Sequence, residues 1–175
     1  QDVDPSLWYH EGIDYAVSHG LMKGVSANRF NPNGSTSRAM VVTVLYRLAG
    51  EPAVSGSAAF RDVVPGAWYE KAVIWASTNG VVNGFADGTF APDASITRQQ
   101  LAAILWRYAG SPTASGGLSA FADAAEVSAF ALDAMVWAVG QDILRGDNGK
   151  LLPQAGATRA QLAAMLQRFA KVNNQ

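Results

Sequence analysis

An all-α fold built from three helix-loop-helix repeats is predicted by three observations. The chain repeats itself at a period of about 60 residues, each copy carries two apolar stripes at helical spacing, and a turn-rich segment separates the stripes. The segment "NRFNPNGSTSRAMVVTVLYRLAG" (28–50) recurs as "GTFAPDASITRQQLAAILWRYAG" (88–110) and "GKLLPQAGATRAQLAAMLQRFAK" (149–171). The upstream halves match as well, from "DVDPSLWYHEGIDYAVSHGLMKG" at Asp2 to "DVVPGAWYEKAVIWASTNGVVNG" at Asp62 and "DAAEVSAFALDAMVWAVGQDILRG" at Asp123. In the third copy one residue is added before Phe130 and one is lost after Gly146, so the two changes cancel.

The first helix of copy two is expected from about Ala67 to Thr78, with Trp68, Ala72, Trp75 and Ala76 on one stripe and Asn79-Gly80 as its stop. "VVNGFADGTFAPDAS" then forms a loop, because Gly84, Asp87-Gly88 and Pro92 forbid a long helix. Thr97 opens the second helix, and Gln100 three residues later completes a capping box, which Thr158 and Gln161 repeat. Copy one keeps Ser37 as cap but has Met40 at the Gln position, so its box is half lost. The repeats are delimited as 1–50, 60–110 and 121–175, with Gly/Ser/Pro-rich connectors at 51–59 and 111–120. One repeat cannot bury both stripes, whereas three packed about a pseudo-threefold axis can.

Composition narrows the function. With 49% apolar and 15% charged residues the chain can bury a sizeable core, and 13 basic against 14 acidic residues leave no polybasic face for nucleic acid or an anionic membrane. The absence of cysteine excludes a disulfide framework and thiolate metal sites. No apolar run approaches the roughly 20 residues that span a bilayer. Phe60 and Phe121 precede the repeat aspartates by two residues, but copy one starts after that position, so the chain is expected to be a trimmed piece of a longer protein.

Enzyme signatures are missing. His10 and His19 are replaced in the other copies, "FADGTF" at 85–90 lacks the oxygen ladder of a calcium loop, and no nucleophile or nucleotide fingerprint occurs. Neither a metal nor a cofactor is expected.

What stands out is arginine at an unfavourable place. Arg38, Arg98 and Arg159 follow the helix caps directly, where the helix dipole repels a cation. Each lies 36 residues after an aspartate, Asp2, Asp62 or Asp123, and nine before a second arginine, Arg47, Arg107 or Arg168, expected to satisfy the C-terminal dipole. Two compatible explanations offer themselves for the first set. The arginine pairs with the aspartate of its own or a neighbouring repeat, or it forms an anion site with the free amides of the first helical turn, suited to a carboxylate. In the second case Arg98→Ala should weaken binding with little loss of helix.

Trp8 and Trp68, opening the first helices, are core residues or platforms for a sugar ring, while Trp75 and Trp137 belong to the core. Gly24, Gly84 and Gly146 close the turns "MKG", "VNG" and "LRG" as left-handed caps or points of close backbone approach.

These features together resemble the S-layer homology repeats of bacterial cell-surface proteins. The opening "FRDV", the helix "WYEKAVIWA", the stretch "GVVNGFADGTFAPDASITRQQ" and the Thr-Arg pairs at 97–98 and 158–159 carry the resemblance, in three tandem copies. It implies three central helices, one from each repeat, and non-covalent anchoring to secondary cell-wall polysaccharide bearing a pyruvate ketal on an amino sugar. The ligand would lie in grooves between repeats, with Arg38, Arg98 and Arg159 facing the carboxylate. Asp2, Asp62, Asp123, Trp8, Trp68 and the glycines would give support. The implied location is the cell wall of a secreted protein, as a monomeric module. Ser37 in place of threonine, Met40, Gln100 and Gln161 in place of the usual glutamate, and Phe130-Ala131 in place of Trp-Tyr make three equivalent grooves unexpected. A rival reading makes the module a protein-protein self-assembly device whose grooves accept acidic side chains.

Overall fold

The computed structural model describes residues 2–173; Gln1, Asn174 and Gln175, at the outer ends of the first and third repeats, lie outside them. The described residues are all-α. Six helices follow in order, α1 (His10–Ser18), α2 (Arg38–Leu48), α3 (Glu70–Thr78), α4 (Arg98–Tyr108), α5 (Leu132–Gly140) and α6 (Arg159–Asn173), with 3-10 turns at Ala124–Glu126 and Ala129–Ala131.

The second helix of each repeat starts where its cap predicts. Thr97 accepts from the Gln100 amide and Gln100 returns to the Thr97 amide, Thr158 and Gln161 do the same, and Ser37 makes only the forward bond to Met40. The first helix of copy two is shorter than expected. Ala67, Trp68 and Tyr69 form a turn, with Glu70 N–H donating to the Ala67 carbonyl and the Glu70 side chain reaching back to the Gly66 amide. Trp68 therefore leaves the helix and faces solvent. Gly20 and Gly80, with φ of 68° and 69°, cap α1 and α3 in the left-handed region, and Asp142 at 57° takes that role after α5.

The helices do not pair within a repeat. The close packing runs α2 on α3, α4 on α5 and α6 on α1, so each second helix buries its stripe against the first helix of the next repeat and the third repeat returns to the first. Val41, Leu45, Leu101, Leu105, Leu162 and Leu166 are fully buried in one continuous core drawn from all three copies. None of the expected central helices, α2, α4 and α6, packs extensively on another, whereas the segments that lead into them meet one another. There Thr36 N–H donates to the Ala157 carbonyl, Ala157 N–H to Ile96 and Ile96 N–H to Thr36, at 3.0, 2.8 and 2.9 Å, a closed ring with one residue from each repeat.

Candidate functional site

The same cyclic order decides what answers the three arginines. The Nε–H of Arg38 donates to the Phe90 carbonyl at 2.8 Å, that of Arg98 to Leu151 at 2.7 Å and that of Arg159 to Phe30 at 2.9 Å, each acceptor lying in the loop of the next repeat. The amide of the same peptide group is held from its other side by an aspartate. Asp62 accepts from Ala91, Asp123 from Leu152 and Asp2 from Asn31, all at 2.7 Å. One peptide thus stands between each arginine and the next repeat's aspartate, with cation at its oxygen and anion at its hydrogen, an order in which each bond polarises the other. The residue after that peptide is left-handed in all three copies, with φ of 59° at Asn31, 55° at Ala91 and 52° at Leu152. Ala91 and Leu152 have no local side-chain hydrogen bond to favour that region, so the clamp is what holds them there.

Neither sequence explanation survives in its simple form. No ion pair joins a repeat aspartate to an arginine among the described residues. The first-turn amides are not free either. Arg38 and Ala39 N–H donate to the carbonyls of Ala94 and Pro92, Arg98 and Gln99 to Ala155 and Pro153, and Arg159 and Ala160 to Gly34 and Pro32. The third amide goes to the cap hydroxyl, so an anion finds no open helix terminus here.

All three guanidinium groups are buried, Arg98 to 5% exposure, and burial pushes each of their pKa values down. At Arg98 the charges of Asp147 and then Asp123 oppose that shift. Among the aspartates, the Phe30 amide holds Asp2 below the ordinary carboxylate value against desolvation. Burial pushes Asp123 up, but the Leu151 and Leu152 amides outweigh it and its net shift is downward. A depressed carboxylate contributes stability that is present above the unfolded value of 3.8 and lost as pH falls through the lower folded value. The thermal midpoint is therefore expected to stay level down to about pH 4 and to fall steeply below it, measured by circular dichroism melts. A midpoint independent of pH down to about pH 2.5 would contradict the clamp.

A cleft of about 330 Å³ opens over Arg98. All three repeats build it. Trp8 comes from the first, Arg98 from the second, and the Leu144 to Asp147 turn with Gln161, Met165 and Arg168 from the third. Trp8 is 59% exposed and Trp68 61%, so both lie outside the core, while Trp75 and Trp137 are buried. Arg98 uses Nε and one Nη on the Leu151 and Arg145 carbonyls. Arg145 is itself clasped by Asp142, which raises its pKa.

Arg168 was expected to serve a helix C-terminus. Instead α6 continues to Asn173, and Arg168 sits within the helix, donates to the Ile143 carbonyl at 3.3 Å and lines the cleft. Burial lowers its pKa first, and the charges of Arg145 and Arg98 lower it further. Two arginines from different repeats therefore share one cleft, and the sequence shows no sign of it. Arg47 and Arg107 do occupy last turns as expected, and Arg47 also donates to the Leu21 carbonyl.

The glycines belong to the loops, and Gly146 lies in the lining of the Arg98 cleft. Gly24 is not left-handed; a Cβ there would lie 2.7 Å from the Arg29 and Ser26 carbonyl oxygens. At Gly84 and Gly146 a Cβ would strike the rings of Phe60 and Phe121, and only Gly84 has a positive φ, 67°. Close approach explains all three positions. His10 lies 3.5 Å from Asp14 and His19 contacts the Tyr15 carbonyl at 2.9 Å; no group of three or more metal-ligating side chains forms among the described residues.

Comparison with known proteins follows the same three-part division. The family model described as the S-layer homology domain matches residues 1–39, 59–102 and 120–163. A surface-layer 125 kDa protein of Lysinibacillus sphaericus is 34% identical over 162 residues, 90% of this chain and 14% of that protein. An amylopullulanase of Thermoanaerobacterium thermosulfurigenes is 30% identical over 165 residues, 91% of this chain and 9% of that protein. A cellulosome-anchoring protein of Acetivibrio thermocellus is 27% identical over 128 residues, 70% of this chain and 28% of that protein. The chain spans less than a third of each of these relatives. The family and its surface-layer and anchoring relatives place the chain at the cell surface or cell wall. With three matches in register with the three repeats and covering most of the sequence, the chain belongs to the S-layer homology domain family.

Proposed function

We propose that this cell-surface anchoring module is non-catalytic and works by capturing an acidic wall glycan, a secondary cell-wall polysaccharide with a pyruvate ketal on an amino sugar. The observation that carries the reading is the Arg98 cleft, where Arg98 of the second repeat and Arg145 and Arg168 of the third share one lining with the exposed Trp8. Asp147 is the single acidic side chain in the lining, so positive charge exceeds negative within it. A carboxylate entering such a partly buried site gains charge-assisted hydrogen bonds that are stronger than their counterparts in water. The Trp8 face supports the sugar ring, and Gln161 with Asp147 offers donor and acceptor to hydroxyl or N-acetyl groups. Anchoring through more than one cleft of a rigid body adds avidity to modest single-site affinities.

Calorimetric titration with pyruvylated wall polysaccharide is expected to show saturable binding that disappears when the ketal is removed by mild acid. Unchanged binding after removal would sink the carboxylate assignment. Trp8→Ala should weaken binding about tenfold, since the platform is lost. Its thermal midpoint should move by less than the equivalent of about 0.5 kcal/mol, because the ring is mostly in water. The self-assembly reading predicts the opposite pattern, concentration-dependent association of the chain with no response to glycan.

A further inference from the structure

The loop residue just after Gly24, Gly84 and Gly146 differs in every repeat: Val25, Phe85 and Asp147. Where it is Phe85, the ring centroid lies 4.7 Å from the Arg38 guanidinium carbon, and Phe90 lies 4.8 Å from the same carbon. Arg159 has Phe30 at 4.5 Å and no second ring, and Arg98, with Leu151 at the Phe90 position, has none among the described residues. Phe85 is 43% exposed, yet it does not turn into the protein. It spends its buried part on the cation.

We infer that Phe85 covers Arg38, so that Arg38 is a structural cation and acid capture is confined to Arg98 and Arg159. The inference rests on the carboxylate reading proposed above. An acid reaching Arg38 has to displace a ring that already covers the guanidinium and is held there by cation–π attraction. At Arg159 the corresponding side chain, Val25, carries no π-face and competes with nothing. At Arg98 the corresponding Asp147 lies in the lining of an open cleft rather than across the guanidinium. The three arginines share the Nε–carbonyl bond, and Arg98 and Arg159 add an Nη bond to the Arg145 and Lys23 carbonyls; at Arg38 the Phe85 ring packs on the guanidinium instead.

The three Nε–H groups are reporters, since each is held by a carbonyl. The chain with nitrogen-labelled arginine is titrated with the methyl glycoside of an N-acetylated amino sugar carrying a pyruvate ketal. Saturable shifts are expected at Arg98 and Arg159, with any response at Arg38 needing at least about tenfold more ligand. Phe85→Val, which installs the repeat-one residue, should bring Arg38 to the midpoint of the other two. Val25→Phe, made at an exposed position that tolerates a larger side chain, should silence Arg159. Equal midpoints for all three arginines in the unaltered chain overturn the inference and leave the carboxylate reading standing. So does a silent Arg159 in the unaltered chain, or an Arg38 that stays silent in folded Phe85→Val while Arg98 responds. Silence at all three overturns both.

Discussion

Arg98→Ala is expected to lower the unfolding free energy by about 2–4 kcal/mol, and with it the thermal midpoint by about 10 °C. Two carbonyls, Leu151 and Arg145, lose a charged donor at 2.7 and 2.9 Å, and the arginine stem leaves a cavity at a site only 5% exposed. Relief of the unfavourable dipole at the start of α4 returns about 0.3–1 kcal/mol, too little to reverse the sign. The loss falls between repeats two and three, because both acceptors belong to the third. Arg98→Lys should recover less than half of it, since a point charge cannot serve two carbonyls in the geometry of the planar fork. A midpoint within about 2 °C of the parent would show that the clamp is ornamental. Any loss of glycan binding in Arg98→Ala must therefore be judged against Trp8→Ala, which removes a cleft residue without touching the clamp.

The sequence places arginine, aspartate and cap correctly along the chain but is silent on which repeat each one serves. With three near-identical copies, a contact inside a repeat and a contact to the next repeat carry the same spacing. The constant 36 residues between Asp62 and Arg98 suggest a direct partnership. In the structure Asp62 instead supports the peptide that receives Arg38, and Arg98 goes to the peptide held by Asp123. The helices, their stops and the capping boxes were legible because those signals are local, within a turn or two of the residues that carry them. The cyclic exchange of helices was not. It follows from which apolar stripe finds which, a long-range choice that periodicity leaves open.

The same degeneracy hides half of the cleft. Arg168 has the sequence position of a dipole-satisfying cation, and its counterparts Arg47 and Arg107 do end their helices. Only the extension of α6 to Asn173 and the packing around Arg98 turn it into a lining residue. Phe85 is similarly invisible, an apolar residue in a polar turn until its ring is found on Arg38. Residues that differ between repeats, rather than those they share, distinguish the clefts.

Gly12→Ala tests the contact that closes the ring. By helix propensity alone the change stabilises, by about 0.5–1 kcal/mol for a residue inside α1. Packing opposes it: a Cβ at Gly12 would lie 2.6 Å from the Cα of Ala164 and 2.7 Å from its amide nitrogen, both backbone atoms of α6. A rotamer change cannot relieve that clash, so the last helix has to withdraw from the first. Overpacking of this kind costs about 1–3 kcal/mol and at times more, and the net expectation is a destabilisation of about 1–2 kcal/mol in spite of the better helix former. The equivalent positions are Ala72 and Ala134, so α3 and α5 accept the methyl and the restriction belongs to the α1–α6 crossing. Because the collision is with backbone, adding Ala164→Gly should rescue nothing, and the double-mutant coupling should be within about 0.5 kcal/mol of zero. Substantial rescue would mean that side chains, not the approach of the helices, set the distance. Ala164 and Trp8 also line the Arg98 cleft, so a withdrawn α6 should widen it. Glycan affinity is then expected to fall together with the melting midpoint in Gly12→Ala, whereas in Trp8→Ala it falls alone.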